Sequence, residues 1–215
     1  MSPIPTDRLK WRTLSSEITF QDRWLTVRSD RCVTPQGAEI GPYHVIGYPD
    51  WVNVVAVRPD GRLVLALEYR HGAGEVVLGL PSGAIDPKDG ADPALAARAA
   101  AERELIEETG YGGVPFERVL GAWPNPANQS NRATTFLALG VREVGGLAPD
   151  FGEEIEVVLE DWAGVMRRLA FGDLTMQAMH IAGLWAAATQ VLARGPACGL
   201  DAAVIEDLRA AILGA

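Results

Sequence analysis

The sequence contains only two cysteines, Cys32 and Cys198, set far apart with no paired spacing. That excludes a disulfide framework and a cysteine-based zinc site, and the expectation is two buried thiols. Long apolar runs are also missing. The longest, HIAGLWAAATQVLA at 180–193, is too short and too punctuated to span a bilayer. The opening stretch MSPIPTDRLKW lacks the apolar core of a signal peptide, so the expected location is the cytoplasm, with no membrane partner. Basic residues are outnumbered and the formal net charge is −9. A broad nucleic-acid or acidic-membrane interface needs basic surface and is therefore not expected. Any anionic substrate must be met by individually placed arginines or by a metal ion. No repeat or low-complexity segment interrupts the chain.

What is present is an ordinary globular composition, 48% hydrophobic and 22% charged over 215 residues, which suits one domain with an embellishment. EITFQDRWLTVRSDRCV (17–33) and YHVIGY (43–48) are rich in aromatic and β-branched residues and predict an N-terminal sheet of their own. WVNVVAVRPDGRLVLALEYR (51–70) predicts a hairpin around Asp60-Gly61. Short strands are expected at 76–80, 117–122, 134–139 and 154–159. Asp92 and Pro93 carry the marks of an N-cap and first helical residue, and the following segment runs without a breaker to Gly110. The tail predicts helices over 163–169, 176–193 and 201–213. This order of elements is that of an α+β protein.

The stretch RELIEETGY (103–111) raises an electrostatic problem. Glu104, Glu107 and Glu108 lie at three- and four-residue spacings on one helical face, where like charges repel by roughly 0.2–0.5 kcal/mol per pair. Gly110 has the character of a left-handed helix terminator, which puts Glu107 and Glu108 in a last turn that is already negative. A divalent cation absent from the sequence is the simplest remedy, and a solvated acidic face is the bland alternative. The pattern R-E-x-x-E-E-x-G has five fixed residues, and composition alone yields it in about one chain of this length in several thousand. That rarity places the bland reading behind.

With these residues the chain resembles the Nudix hydrolases, whose signature is glycine, five residues, glutamate, seven residues, then R-E-x-x-E-E-x-G and an apolar residue. Gly83, Arg103, Glu104, Glu107, Glu108 and Gly110 can be placed on it. The first glutamate position holds Leu95 and the glycine position Asp89, while Gly83 of LPSGAIDPKDGADP falls six residues early. A loop insertion follows, with Asp89 or Asp92 near the space of the missing glutamate. GYPDWVNVVAV, EYRHGAGEVVLGLPSG, WPNPANQSNRATTFLALG and Pro126, sixteen residues beyond the box glycine, are similar to the ADP-ribose pyrophosphatase branch. In all, the resemblance covers nearly all of residues 17 to 190.

The resemblance implies an α+β Nudix fold, a mixed sheet in an α-β-α sandwich. An N-terminal antiparallel sheet (1–48) would serve dimerisation, and the Nudix domain with its C-terminal helices would span 49–215. It implies Mg²⁺ or Mn²⁺ on Glu104, Glu107 and Glu108, ordered by Arg103, and oxygen-rich ligand sets of this kind suit hard divalent ions. It also implies an acidic general base in FGEEIEV, with Glu153 the better match and Glu154 next. Arg70 is a candidate phosphate ligand. Trp51 and Trp24 could stack a base, while Gly83, Asn125, Asn128 and Arg132 are candidates for other substrate contacts. His71 and His44 are read as structural. The expected reaction is hydrolysis of a nucleoside diphosphate linked to another moiety, with ADP-ribose leading and a homodimer as the assembly. Alternatives are another nucleotide sugar, a dinucleoside polyphosphate or an oxidised nucleoside triphosphate as substrate, or a module that binds a nucleotide metabolite without cleaving it.

Overall fold

The computed structural model describes residues 6–148, 152 and 154–214, and the chain divides into two compact units. The first holds residues up to Pro49 together with Trp123–Arg132; the second holds Asp50–Ala122 and the remainder from Ala133.

In the first unit β1 (Arg12–Gln21), β2 (Thr26–Val33) and β3 (Glu39–Gly47) form an antiparallel sheet in that order. The stretch read as strand over 17–33 is two strands. Asp22 Oδ1 accepts from the backbone N–H groups of Trp24 (2.7 Å) and Leu25 (2.9 Å), and this side-chain turn reverses the chain. Cys32 is buried, as expected. Cys198, in the second unit, is only half-buried, because it closes a short 3₁₀ turn after the helix ending at Arg194 and packs at the margin of the core.

The second unit is built on a mixed sheet. Its strands are β4 (Trp51–Val57), β5 (Arg62–Arg70), β6 (Glu75–Gly79), β7 (Ser82–Ala84), β9 (Glu117–Ala122), β10 (Ala133–Leu139) and β12 (Ile155–Asp161). The order β12-β5-β4-β10-β9 is antiparallel except for the parallel β4–β10 pair; β6 pairs with β5 and β7 with β4. A small ladder joins β8 (Tyr111–Gly112) to β11 (Arg142–Glu143). β4 is central and buried on both faces, which explains its almost uninterrupted apolar sequence. The hairpin at Asp60-Gly61 forms as read, with Gly61 at φ 81°.

Helices cover both faces. Against one lies α1 (Pro93–Thr109), whose Ala97, Ala100, Ala101 and Leu105 pack on Val52, Val54, Ala56 and Val64. Against the other lie α2 (Trp162–Phe171), α3 (Ala178–Arg194) and α4 (Ala202–Leu213), which bury Val55, Val57, Leu63 and Leu65. The layers are α-β-α. The small alanines of α1 let its backbone approach the sheet closely, and so bring its last two turns against β7. No helix among the described residues is long and apolar enough to cross a membrane.

Candidate active site

The site begins with how α1 is fixed in register. Asp92 Oδ1 accepts from the N–H groups of Ala94 (3.0 Å) and Leu95 (2.9 Å), and Pro93 occupies the first turn, where its missing N–H costs nothing. At the other end Gly110 adopts φ 72° and its N–H closes on Ile106 O. These two stops place Glu104, Glu107 and Glu108 in the last two turns, as the sequence predicts.

The remedy for their repulsion lies partly within the chain, in the arginine that the resemblance names as ordering them. Arg103 Nη1 donates to Glu104 Oε1 (2.7 Å) and to Glu107 Oε2 (3.0 Å). Its Nε and Nη2 grip Asp89 Oδ1 and Oδ2 at 3.0 and 3.1 Å, and Nη2 also reaches Ala84 O at 3.2 Å. Of Asp89 and Asp92, it is Asp89 that meets the signature arginine, with Asp86 also within 3.9 Å, while Asp92 caps the helix. The Asp89 carboxylate is 4% exposed and the Arg103 side chain 17%. This guanidinium holds the Asp89 carboxyl below its ordinary range, and the surrounding anions, Asp89 foremost, push the arginine's own pKa upward.

Glu108 is turned elsewhere. It is 4% exposed, and its Oε2 accepts the N–H of Ser82 at 2.9 Å. The next residue, Gly83, lies against the Glu104 carboxylate so closely that any Cβ there would collide with it. Hence the Leu80-Pro81-Ser82-Gly83 segment is the floor on which two of the three glutamates rest. Among the described residues no three His, Cys, Asp or Glu side chains converge with the spacing of a metal site: Arg103 Nη1 bridges Glu104 and Glu107, while Glu108 faces Ser82. The donor chemistry nonetheless fits a hard divalent ion. Three carboxylates from two successive turns offer oxygen ligands, and the glycine cradle keeps a side chain out of the space before Glu104.

The other sequence-predicted residues are distributed as follows. Arg70 ends β5 in an ion pair with Glu68. Trp51 opens β4 opposite Ala84, its indole Nε1 buried without a hydrogen-bond partner among the described residues. Glu154 is exposed, immediately ahead of β12, and Glu153 lies outside the described residues. Asn125, Asn128 and Arg132 belong to the first unit. There Asn125 Nδ2 donates to Asn128 Oδ1 at 2.8 Å, and the Arg132 guanidinium stacks 3.9 Å above the Trp123 ring. Trp24, also in that unit, is exposed beneath Arg23.

Two contributors escaped the sequence reading. Ser82 acts through its backbone N–H, which leaves no compositional trace. His180 in α3 is 1% exposed and accepts the Leu80 N–H on Nδ1 at 3.1 Å. Its one visible signal was a polar ring at the head of the most apolar stretch in the chain.

The NUDIX domain model matches residues 47–172, and the model for the nucleoside diphosphate sugar hydrolase N-terminal domain matches residues 11–46. The chain therefore belongs to the Nudix family. Within it, the chain is similar to ADP-ribose pyrophosphatases. It is 28% identical over 179 residues to the ADP-ribose pyrophosphatase of Mycobacterium tuberculosis, covering 82% of each chain. To the ADP-ribose pyrophosphatase of Bacillus subtilis it is 27% identical over 157 residues, 71% of this chain and 81% of that one. A crystal structure described as an ADP compounds hydrolase shares the fold at a TM-score of 0.74 and 24% identity, covering 86% of this chain and 96% of its own.

Proposed function

We propose that this protein hydrolyses the diphosphate of ADP-ribose to AMP and ribose 5-phosphate, using Mg²⁺ or Mn²⁺ held by Glu104, Glu107 and Glu108. The observation that carries this reading is the seating of Glu108 on the Ser82 N–H and of Glu104 against Gly83, which fixes two carboxylates at a helix end where the dipole disfavours acid. The names of the two pyrophosphatase relatives support the substrate. Such an ion, when bound, neutralises charge on the diphosphate and acidifies water.

The chain's own groups do the rest. Arg103 keeps Glu104 and Glu107 from swinging apart, since one guanidinium nitrogen serves both. Arg70, a delocalised fork at a strand end, is suited to a phosphate oxygen pair. Glu153 or Glu154, just before β12, takes the proton of the attacking water. Trp51 offers an aromatic face to the substrate. Incubation with Mg²⁺ and a panel of ADP-ribose, GDP-mannose, diadenosine polyphosphates and nucleoside triphosphates tests the assignment. ADP-ribose should give the highest kcat/KM, and preference for a triphosphate would overturn it.

A homodimer through the N-terminal sheet is the accompanying proposal. Trp11, Ile18, Phe20 and Trp24 are large apolar side chains left exposed in that unit, a density unusual for a surface that meets only water. Sedimentation at micromolar concentration should give twice the mass of one chain, and a monomer would contradict it.

A further inference from the structure

We infer that His180 is a positioning residue for the reaction, acting through the Leu80–Gly83 segment on Glu108 and Glu104. The inference rests on the reading that those carboxylates carry the chemistry.

Each residue of the segment has its own tether. Leu80 N–H donates to His180 Nδ1 at 3.1 Å, Pro81 O accepts from Val54 N–H at 2.9 Å, Ser82 N–H donates to Glu108 Oε2 at 2.9 Å, and Gly83 abuts the Glu104 carboxylate. Pro81 also stiffens Leu80, because a residue before proline is confined to extended geometry. A displacement at Leu80 is thus passed on within two residues to the Ser82 N–H. The helix supplies this tether from the sheet face opposite α1: His180 lies in the α3 layer, whereas Glu104 and Glu108 lie in the α1 layer. His180 therefore stands across the sheet from both carboxylates and is linked to them through the loop.

The histidine is chosen for acceptance. Nδ1 takes a hydrogen bond, so the ring is neutral with its proton on Nε2, and Nε2 has no hydrogen-bond partner among the described residues. A buried unpaired N–H is unfavourable. An apolar residue would avoid it, yet would leave the Leu80 N–H without an acceptor. The sheet is shaped to admit the ring as well: at Gly79 a Cβ would stand 3.0 Å from Nδ1 and 3.1 Å from Cε1. Glycine before leucine and histidine on the helix are matched, which is the signature of a designed contact between α3 and the floor of the site.

The test compares His180→Leu, which deletes the acceptor, with His180→Asn, whose side-chain oxygen can replace Nδ1. For His180→Leu the expected result is a kcat reduced about 10–100-fold, the range seen when groups supporting metal ligands are removed, with KM for ADP-ribose changed by less than about threefold. Amide hydrogen exchange at Ser82 in the metal-free protein should accelerate with that at Leu80. His180→Asn should restore most of both. Gly79→Ala, which presses a methyl on the ring, should give the same pattern at smaller size, and decides the matter if His180→Leu does not fold. Unchanged kcat and Ser82 protection in either His180→Leu or Gly79→Ala, or equal loss in the leucine and asparagine variants, would overturn the inference. Glu108→Gln, assayed in parallel, separates the two readings: an active Glu108→Gln sinks the carboxylate mechanism, whereas an inactive one beside an unimpaired His180→Leu sinks only the role of His180.

Discussion

Arg103 and Asp89 meet as a two-pronged pair, Nε to Oδ1 at 3.0 Å and Nη2 to Oδ2 at 3.1 Å, with the carboxylate almost wholly shielded from water. Asp89 comes from the inserted loop and Arg103 from the helix, so the pair ties the insertion to the signature. Removing one member of a buried pair leaves the other charge short of a partner. Asp89→Asn is expected to lower the free energy of unfolding by about 3 kcal/mol, the low end of the range for such losses, because Arg103 keeps Glu104 and Glu107. Urea denaturation measures it, and a loss below about 0.5 kcal/mol, typical of a surface pair, would show that the pair is not shielded in solution.

Gly83→Ala is expected to separate stability from activity. The added Cβ meets the flexible end of Glu104, not backbone, so the fold can accommodate it by moving that carboxylate. The melting temperature should shift little while kcat falls about tenfold or more, as when a positioned group is displaced. Equal activity in the variant would mean that the seating of Glu104 on Gly83 has no part in turnover.

Gly61→Ala is expected to behave the opposite way. Gly61 sits at φ 81° in the β4–β5 hairpin, and a Cβ there would lie 2.6 Å from Val204 of α4. Destabilisation of about 1–3 kcal/mol should follow from the strained backbone, with kcat unchanged at temperatures where the protein is folded. A thermal melt beside an activity assay checks both halves.

Acid should expose the buried histidine. Burial, with the nearby Arg70 charge adding to it, pushes His180 from an ordinary 6.5 down to about 3. Between those values the unfolded chain binds a proton that the folded chain refuses, so stability is full above pH 6.5 and is lost as pH falls toward 3. The stability difference between wild type and His180→Asn should shrink by about 1.4 kcal/mol per pH unit below 6.5. Urea titrations at several pH values measure this slope, and a pH-independent difference would contradict a neutral buried ring.

The sequence discloses what repeats or terminates. Helix α1 is readable from Asp92, Pro93 and Gly110 because caps are local chemistry, and the hairpin at Asp60-Gly61 for the same reason. The split of 17–33 at Asp22 was hidden, since a side-chain turn by one aspartate leaves no break in the aromatic and β-branched pattern. Strand β7 was hidden too: three small residues, Ser82–Ala84, carry no periodicity, and only their pairing with β4 makes them a strand. In the site, the carboxylates were legible because like charges at helical spacing are locally unfavourable. Ser82 and His180 join them from the strand and the opposite layer, and contacts over 26 and 100 residues of chain have no local signature.

The central claim is that the α1 carboxylates hold the divalent ion that hydrolysis of the diphosphate requires. Its most direct test is ADP-ribose turnover against Mg²⁺ concentration for wild type and Glu108→Gln, with Mn²⁺ binding to each protein measured separately by calorimetry. The account expects no turnover in wild type without the ion, kcat lower by about 10²–10⁴-fold in the variant, weaker Mn²⁺ binding and an unchanged fold. Full turnover by Glu108→Gln at the same Mg²⁺ concentration, with Mn²⁺ bound as tightly as in wild type, would contradict it.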